Sequence, residues 1–86
     1  MVKISAKLIK NHKTIKNTTY INLNEYDKEN FYDYITAICR KLDISTPIII
    51  PYNIECYENF NSVSFSSEDF VDAINFDKLL LENIDR

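Results

Sequence analysis

The chain has 86 residues, a formal net charge of −3 and no glycine, although average usage would supply about six. Glycine-rich loops cradle phosphates because glycine lets the backbone approach the ligand closely, so the composition excludes Walker-type, Rossmann and kinase-type nucleotide sites. A hydrophobic content of 45% is typical of a folded protein, and the length predicts one domain spanning residues 1–86.

The first 23 residues predict a β-hairpin with strands over 2–9 and 14–23. Apolar residues alternate with polar ones in both runs, as in strands buried on one face. A two-residue turn at Asn11–His12, residue types that tolerate positive φ, would pair Lys10 with Lys13. That register places four pairs on the buried face: Leu8 with Ile15, Ala6 with Asn17, Ile4 with Thr19, and Val2 with Ile21.

The opposite face of this hairpin is predicted to be basic. The register places Lys7 across from Lys16, and like charges in that position are mildly destabilising. Five lysines and no carboxylate occur before Glu25, so charge is segregated along the chain. The face is either simply solvated or binds a polyanion, with lysines on phosphates and an aromatic ring on a base. This basic hairpin face comprises Lys3, Lys7, Lys16 and Tyr20.

An amphipathic helix is predicted from about Asp27 to Leu42, with Asn24 or Asp27 as its cap. Cations in its last turn suit the negative end of the helix dipole. Tyr26 and Tyr32 lie off the apolar stripe and are candidates for contact with a partner protein, because tyrosine is enriched in interfaces. Spacings of three and four define the stripe itself: Phe31, Tyr34, Ile35, Ile38, Cys39 and Leu42.

Shorter elements are predicted after the helix. Ile48–Ile50, between two prolines, is interpreted as a short, buried edge strand that could pair with a partner. Residues 52–62 fit either a helix or an irregular loop. Residues 62–65 alternate serine with apolar side chains, which indicates a strand, and 66–69 resemble a capping box that opens one helical turn. Residues 77–84 predict a last strand.

This order predicts an α+β fold of two layers, β-hairpin–α–β(–β), with one main helix. Its layout resembles the β-grasp, or ubiquitin-like, fold, in which the hairpin packs across the helix and the last strand lies beside the first. A right-handed crossover from the hairpin through the helix to a parallel strand is allowed. The alternative is a plain meander sheet with one helix on its face.

Three stretches also resemble a group of small clostridial proteins, some carried on mobile elements, to which no activity is assigned. The resemblance therefore implies neither a function nor site residues. The stretches are the lysine-rich hairpin, Ile38–Pro47, and Phe65–Phe70 with Phe76–Asp77.

Catalytic chemistry is not predicted. The only histidine, His12, lies in the predicted turn, away from the serines it would have to activate. Glu55 and Glu58 are interpreted as a solvated pair, and no histidine or cysteine cluster has metal-ligand spacing. Cys39 and Cys56 are expected to be free thiols, with Cys39 in the core and Cys56 the more exposed. We expect no enzyme activity, no cofactor and no metal.

A small protein-interaction module is the function that the sequence favours, with polyanion or nucleic-acid binding by the basic hairpin face as the alternative. The expected partner is another protein, and the chain is expected to be a monomer or weak dimer. No apolar run reaches the roughly 18 residues of a membrane span, and the amino-terminal residues lack the apolar stretch of a secretory signal. A cytoplasmic location without membrane contact is therefore expected.

Overall fold

A computed structural model describes residues 1–85 and confirms the α+β fold. Four strands form one sheet, α1 is the main helix, and a second helix, α2, precedes the third strand. Single 3₁₀ turns at Lys28–Asn30 and Ser67–Asp69 precede α1 and follow β3. The elements are β1 (Val2–Lys10), β2 (Lys13–Asn22), α1 (Phe31–Leu42), α2 (Pro51–Phe60), β3 (Ser62–Ser66) and β4 (Lys78–Asn83).

The sheet has the strand order β2-β1-β4-β3, and all of its described pairs are antiparallel. The last strand lies beside the first, as the β-grasp layout predicts. The crossover to a parallel strand, which the topology rules allow, is not observed among residues 1–85, because β4 runs antiparallel to both of its neighbours. A plain meander is not found either, since β2 and β3 occupy opposite edges of the sheet.

The core lies between one face of the sheet and the helices. Alternate residues of β1 are buried, from Val2 to Leu8, as are Leu79 and Leu81 of β4. Burying a large apolar side chain fully stabilises the fold by roughly 1.5–3 kcal/mol. The predicted stripe of α1 is confirmed in full, and its buried members are Phe31, Tyr34, Ile35, Ile38, Cys39 and Leu42.

The predicted hairpin register is correct at the turn and wrong beyond it. Lys10 pairs with Lys13, and Asn11 and His12 adopt positive φ, as expected. The register then shifts between Leu8 and Ile9, which leaves Ile15 as an extra residue. Such a bulge moves every later side chain of the strand to the opposite face.

The four predicted core pairs of the hairpin are therefore replaced. From Lys16 onward, the side chains of even-numbered β2 residues lie on the core side, where Thr18, Tyr20 and Asn22 are half-buried, while Ile21 is 52% exposed. The observed pairs are Leu8 with Lys16, Ala6 with Thr18, Ile4 with Tyr20, and Val2 with Asn22.

The segment Ile48–Ile50 is not a strand, so that prediction is wrong. Ile48 is 54% exposed and Ile50 is similarly open. Ile50 instead precedes α2, and its N–H donates to Asn53 Oδ1 at 2.8 Å. Pro51 occupies the first turn of the helix, where its fixed φ suits helical geometry and its missing N–H costs nothing. Of the two alternatives for residues 52–62, the helix is the one observed.

Residues other than glycine end both helices. Asp43 after α1 and Asn61 after α2 adopt the left-handed conformation, at φ 57° and φ 58°. The capping box is confirmed, since Ser66 N–H donates to Asp69 Oδ2 at 2.8 Å. The left-handed turn at Asn61 leads α2 directly into β3, so this helix lies beside an edge of the sheet.

Candidate functional site

The basic hairpin face is divided between two sides of the sheet. Lys3 and Lys7 lie on the side away from the core, whereas Lys16 and Tyr20 lie on the helix side. Lys7 stands across from Asn17, not Lys16, so the predicted facing pair of lysines is wrong.

Each of these two lysines also has a neighbour of its own. Lys7 Nζ lies 3.9 Å from Glu82 Oε1 of β4, an ion pair on the side away from the core. Lys16 Nζ donates to the Leu42 carbonyl at 3.2 Å, at the carboxyl end of α1, where cations are favoured. The two ammonium groups therefore contact different elements, β4 for Lys7 and the end of α1 for Lys16.

The β2 edge of the sheet is covered by a lysine. Lys41 Nζ donates to the Thr19 carbonyl at 3.3 Å and lies 6.0 Å from the centre of the Tyr20 ring. A lysine and a bulge on an edge strand both oppose pairing with another chain. Because β2 has both, with the bulge at Ile15, it is a poor edge for binding a partner strand.

The two candidate tyrosines differ in their surroundings. Tyr32 is 58% exposed on α1. Tyr26 is half-buried, with its ring centre 6.1 Å from that of Tyr34 and 5.7 Å from that of Tyr57. Its hydroxyl donates to Glu58 Oε2 at 2.9 Å, and burial together with this carboxylate raises the pKa of Tyr26. Tyr26 therefore belongs to the margin of the core.

The β3 edge carries backbone groups that point away from the sheet. In antiparallel strands, residues alternate between exchanging hydrogen bonds with the neighbour and facing outward. Asn83 N–H donates to the Asn61 carbonyl at 2.8 Å, so the residues of β3 bonded to β4 are Val63 and Phe65. The N–H and C=O groups of Ser62 and Ser64 consequently point to the open edge. No bond to these outward groups is found among residues 1–85.

An uncharged groove lies between this edge and α2. Tyr52, Cys56 and Phe60 recur at every fourth residue of the helix and so share one of its faces. Tyr52 is 65% exposed and Phe60 72%. The groove has a volume of about 370 Å³, and we call it the β3 groove. Its lining contains no charged residue: Tyr52, Asn53, Cys56, Phe60, Ser62, Val63, Ser64 and Leu80.

Sequence reasoning did not find the β3 groove, although a signal for it was present. In this stretch of the sequence, a spacing of three also joins Ile54, Tyr57 and Phe60 and indicates a different helical face. The spacing of four that joins Tyr52, Cys56 and Phe60 is the one that lines the groove.

The two cysteines are free thiols with the predicted burial. Burial raises the pKa of the Cys39 thiol to about 11, which makes it unreactive at neutral pH. Cys56 is half-buried in the β3 groove. The nearby Cys56 thiol raises the pKa of the Tyr52 hydroxyl.

The carboxylates Glu55 and Glu58 are both exposed, as predicted. Glu58 accepts from the Tyr26 hydroxyl, and the two carboxylates line a shallow depression with Lys28 on the outer side of α2. No group of three potential metal ligands occurs within residues 1–85. Over the same residues, neither helix is long and apolar enough to cross a bilayer.

Comparison with protein-family models, curated proteins and solved structures found no match.

Proposed function

We propose that this protein is a non-enzymatic interaction module that binds an extended, apolar segment of a partner protein in the β3 groove. The observation that carries the proposal is the open backbone of Ser62 and Ser64 beside an exposed aromatic face of α2. An extended segment can add to a sheet edge, with main-chain hydrogen bonds giving affinity and alternate side chains giving specificity.

The two edges of the sheet support this choice of strand. Lys41 and the bulge at Ile15 protect β2, whereas the described pairing of β3 has no register shift. At the far end of β3, Asp69 accepts a hydrogen bond from the Ser66 N–H, so that N–H is not available to a partner strand. The backbone available to a partner strand is therefore centred on Ser62 and Ser64.

The lining of the groove indicates the chemistry of the partner segment. Tyr52 and Phe60 provide two exposed aromatic rings, and Leu80 adds an apolar side chain from β4. A charged partner side chain would lose hydration there without gaining an opposite charge. We therefore expect a segment with aromatic or branched aliphatic side chains at alternate positions.

Polyanion binding by the hairpin has weaker support. Its four residues lie on two sides of the sheet, and Lys7 and Lys16 have neighbours within the protein. Nucleic-acid binding remains the alternative hypothesis, and gel mobility of single- and double-stranded DNA at low salt tests it.

The peptide proposal is tested by selecting ligands from a random-peptide display library and measuring their affinity for matched proline variants. Ser64→Pro removes an outward N–H and leaves the bonds to β4 in place. Asn17→Pro makes the same change on the protected β2 edge. We expect Ser64→Pro to weaken peptide binding about tenfold or more, since 1.4 kcal/mol is tenfold, and Asn17→Pro to leave it unchanged.

Two further measurements complete the test. Alkylation of Cys56, which lines the groove, is expected to block peptide binding, and a Cys56→Ser variant should bind peptide and resist the block. Equal affinity of Ser64→Pro and unmodified protein, or a library without ligands, would overturn the proposal. So would light scattering that shows a dimer abolished by Ser64→Pro, because the edge would then belong to a second copy.

A further inference from the structure

A second cavity, separate from the β3 groove, lies between α2, the beginning of β1 and the end of β4. Its volume is about 420 Å³. We call it the acidic pocket, because its lining has two carboxylates and no lysine or arginine, although the α-amino group of Met1 also lies there. The side chains that matter for its chemistry are Tyr26, Tyr57, Glu58, Asn61, Asn83 and Asp85.

Aromatic rings form one wall of this pocket. The centres of the Tyr26 and Tyr57 rings are 5.7 Å apart. Tyr57 is buried and also packs on Phe31 at 5.4 Å, which fixes its ring against α1. The half-buried Tyr26 ring, held in place by Tyr57, presents the accessible π surface of this wall, and such a surface attracts cations.

The carboxylate of Glu58 is held in place by one hydrogen bond and forms no ion pair among residues 1–85, although Lys28 lines the depression on its other side. Its Oε2 accepts from the Tyr26 hydroxyl at 2.9 Å. Neither described ion pair includes it. Asp85 differs, because its Oδ2 lies 4.0 Å from the α-amino group of Met1. Glu58 is therefore the carboxylate that a ligand would meet.

Neutral amides complete the rim and bond to one another. Asn83 Nδ2 donates to Asn61 Oδ1 at 3.1 Å, and Asn83 Oδ1 accepts from the Asp85 N–H at 3.0 Å. Each amide carbonyl oxygen of the rim therefore already accepts one hydrogen bond. The strongest acceptor left for a ligand is then the negative carboxylate of Glu58.

We propose that the acidic pocket binds a guanidinium group, such as that of an arginine side chain or a small guanidine. A guanidinium is planar, bonds a carboxylate through two N–H groups and stacks on aromatic rings. Glu58 supplies the carboxylate, and Tyr26 supplies the ring, which Tyr57 supports from the core side. The proposal rests on this pocket alone and does not require peptide binding in the β3 groove.

The test compares two probes of the same shape in an NMR titration of amide shifts. N-acetyl-arginine amide carries the guanidinium, and N-acetyl-citrulline amide replaces it with a neutral urea. We expect the arginine probe to shift the amides of Glu58 and Asn61 and to bind about tenfold or more tightly than the citrulline probe, a difference of about 1.4 kcal/mol.

Matched variants separate the pocket from the general acidity of the protein. Glu58→Gln keeps the shape of the side chain and is expected to weaken arginine binding about tenfold. Glu55→Gln removes the same charge from α2 outside the pocket and is expected to change affinity less than about twofold. Equal binding of the two probes, equal effects of the two variants, or no binding would overturn the proposal. Unfolding midpoints of both variants check that the fold is retained.

Discussion

Leu8 of β1 pairs with Lys16 of β2, not with Ile15, although a bulge-free hairpin closed by Asn11–His12 would place Ile15 there. One extra residue therefore decides which side chains of β2 face α1. It brings Lys16 to the Leu42 carbonyl and the Tyr20 ring to 5.7 Å from that of Tyr34. It also leaves Ile21 on the exposed side of the sheet.

This arrangement predicts that alanine substitutions at two adjacent residues of β2 change the free energy of unfolding by unequal amounts. Tyr20→Ala should lower the free energy of unfolding by about 1–2 kcal/mol, because it removes a half-buried ring in contact with Tyr34. Ile21→Ala should change it by less than about 0.5 kcal/mol, because Ile21 is largely exposed. Urea denaturation measures both. Tyr20→Phe, which keeps the ring, should behave almost like the unmodified protein, and a larger loss for Ile21→Ala would contradict the bulged register.

The sequence predicted the helix α1 and the strand β1 well, because both patterns are long. Six apolar positions of α1 repeat at helical spacing, so one misplaced residue would not hide the stripe. In β2 and just after it, the apolar residues Ile15, Ile21 and Leu23 share one parity and indicate the wrong face. A bulge is a single extra residue with no required residue type, so alternation alone does not reveal it.

The segment after α1 was harder to predict because short apolar runs have no period. Ile48–Ile50 fits a strand, a loop or a helix entrance equally well. Pro51 was interpreted as the end of a strand, whereas it begins α2. The β3 groove depends on that helix lying beside β3, a tertiary contact that the spacing of residues alone does not give.

The exposed position of Ile48 predicts that it contributes much less to stability than Ile38, an isoleucine in the core face of α1. Ile38→Ala should lower the free energy of unfolding by about 2–5 kcal/mol, because Ile38 is fully buried and its loss leaves a cavity. Ile48→Ala should change it by less than about 0.5 kcal/mol, since more than half of that side chain is exposed. A loss above about 2 kcal/mol for Ile48→Ala, measured by thermal or urea denaturation, would instead support a buried strand.

We predict that replacing Asp43 with glycine or asparagine stabilises the protein. It combines a left-handed conformation at φ 57° with a negative charge at the carboxyl end of α1, and both are unfavourable. Asp43→Gly should raise the free energy of unfolding by about 0.5–1.5 kcal/mol. Asp43→Asn, which tolerates the same φ and removes only the charge, should give about 0.3–1 kcal/mol. Asp43→Ala should be less stable than Asp43→Gly by about 1 kcal/mol, and the reverse order would show that the left-handed strain is relieved elsewhere.

The raised pKa of the Tyr57 phenol predicts that the protein loses stability at alkaline pH. Burial, together with the neighbouring Tyr34 and Asp85, raises the pKa of Tyr57 from 10.0 to about 12. Below pH 10 the phenol is neutral in both the folded and the unfolded chain. Between pH 10 and 12 the unfolded chain loses this proton and the folded chain keeps it, so the free energy of unfolding falls as pH rises. The fall attributable to this residue is at most about 2–3 kcal/mol, since one pKa unit corresponds to about 1.4 kcal/mol.

A Tyr57→Phe variant isolates this contribution from those of lysines and other tyrosines that titrate in the same range. Urea denaturation at successive alkaline pH values should show a smaller loss for the variant than for the unmodified protein. Below pH 10, where both side chains are neutral, the difference between the two proteins should be constant. Phenolate absorbance gives an independent measurement, because one tyrosine of the unmodified protein that titrates near pH 12 should be absent from Tyr57→Phe. Parallel pH profiles for the two proteins would mean that Tyr57 ionises in the fold as readily as in the unfolded chain, and that burial beside Tyr34 and Asp85 does not hold its proton.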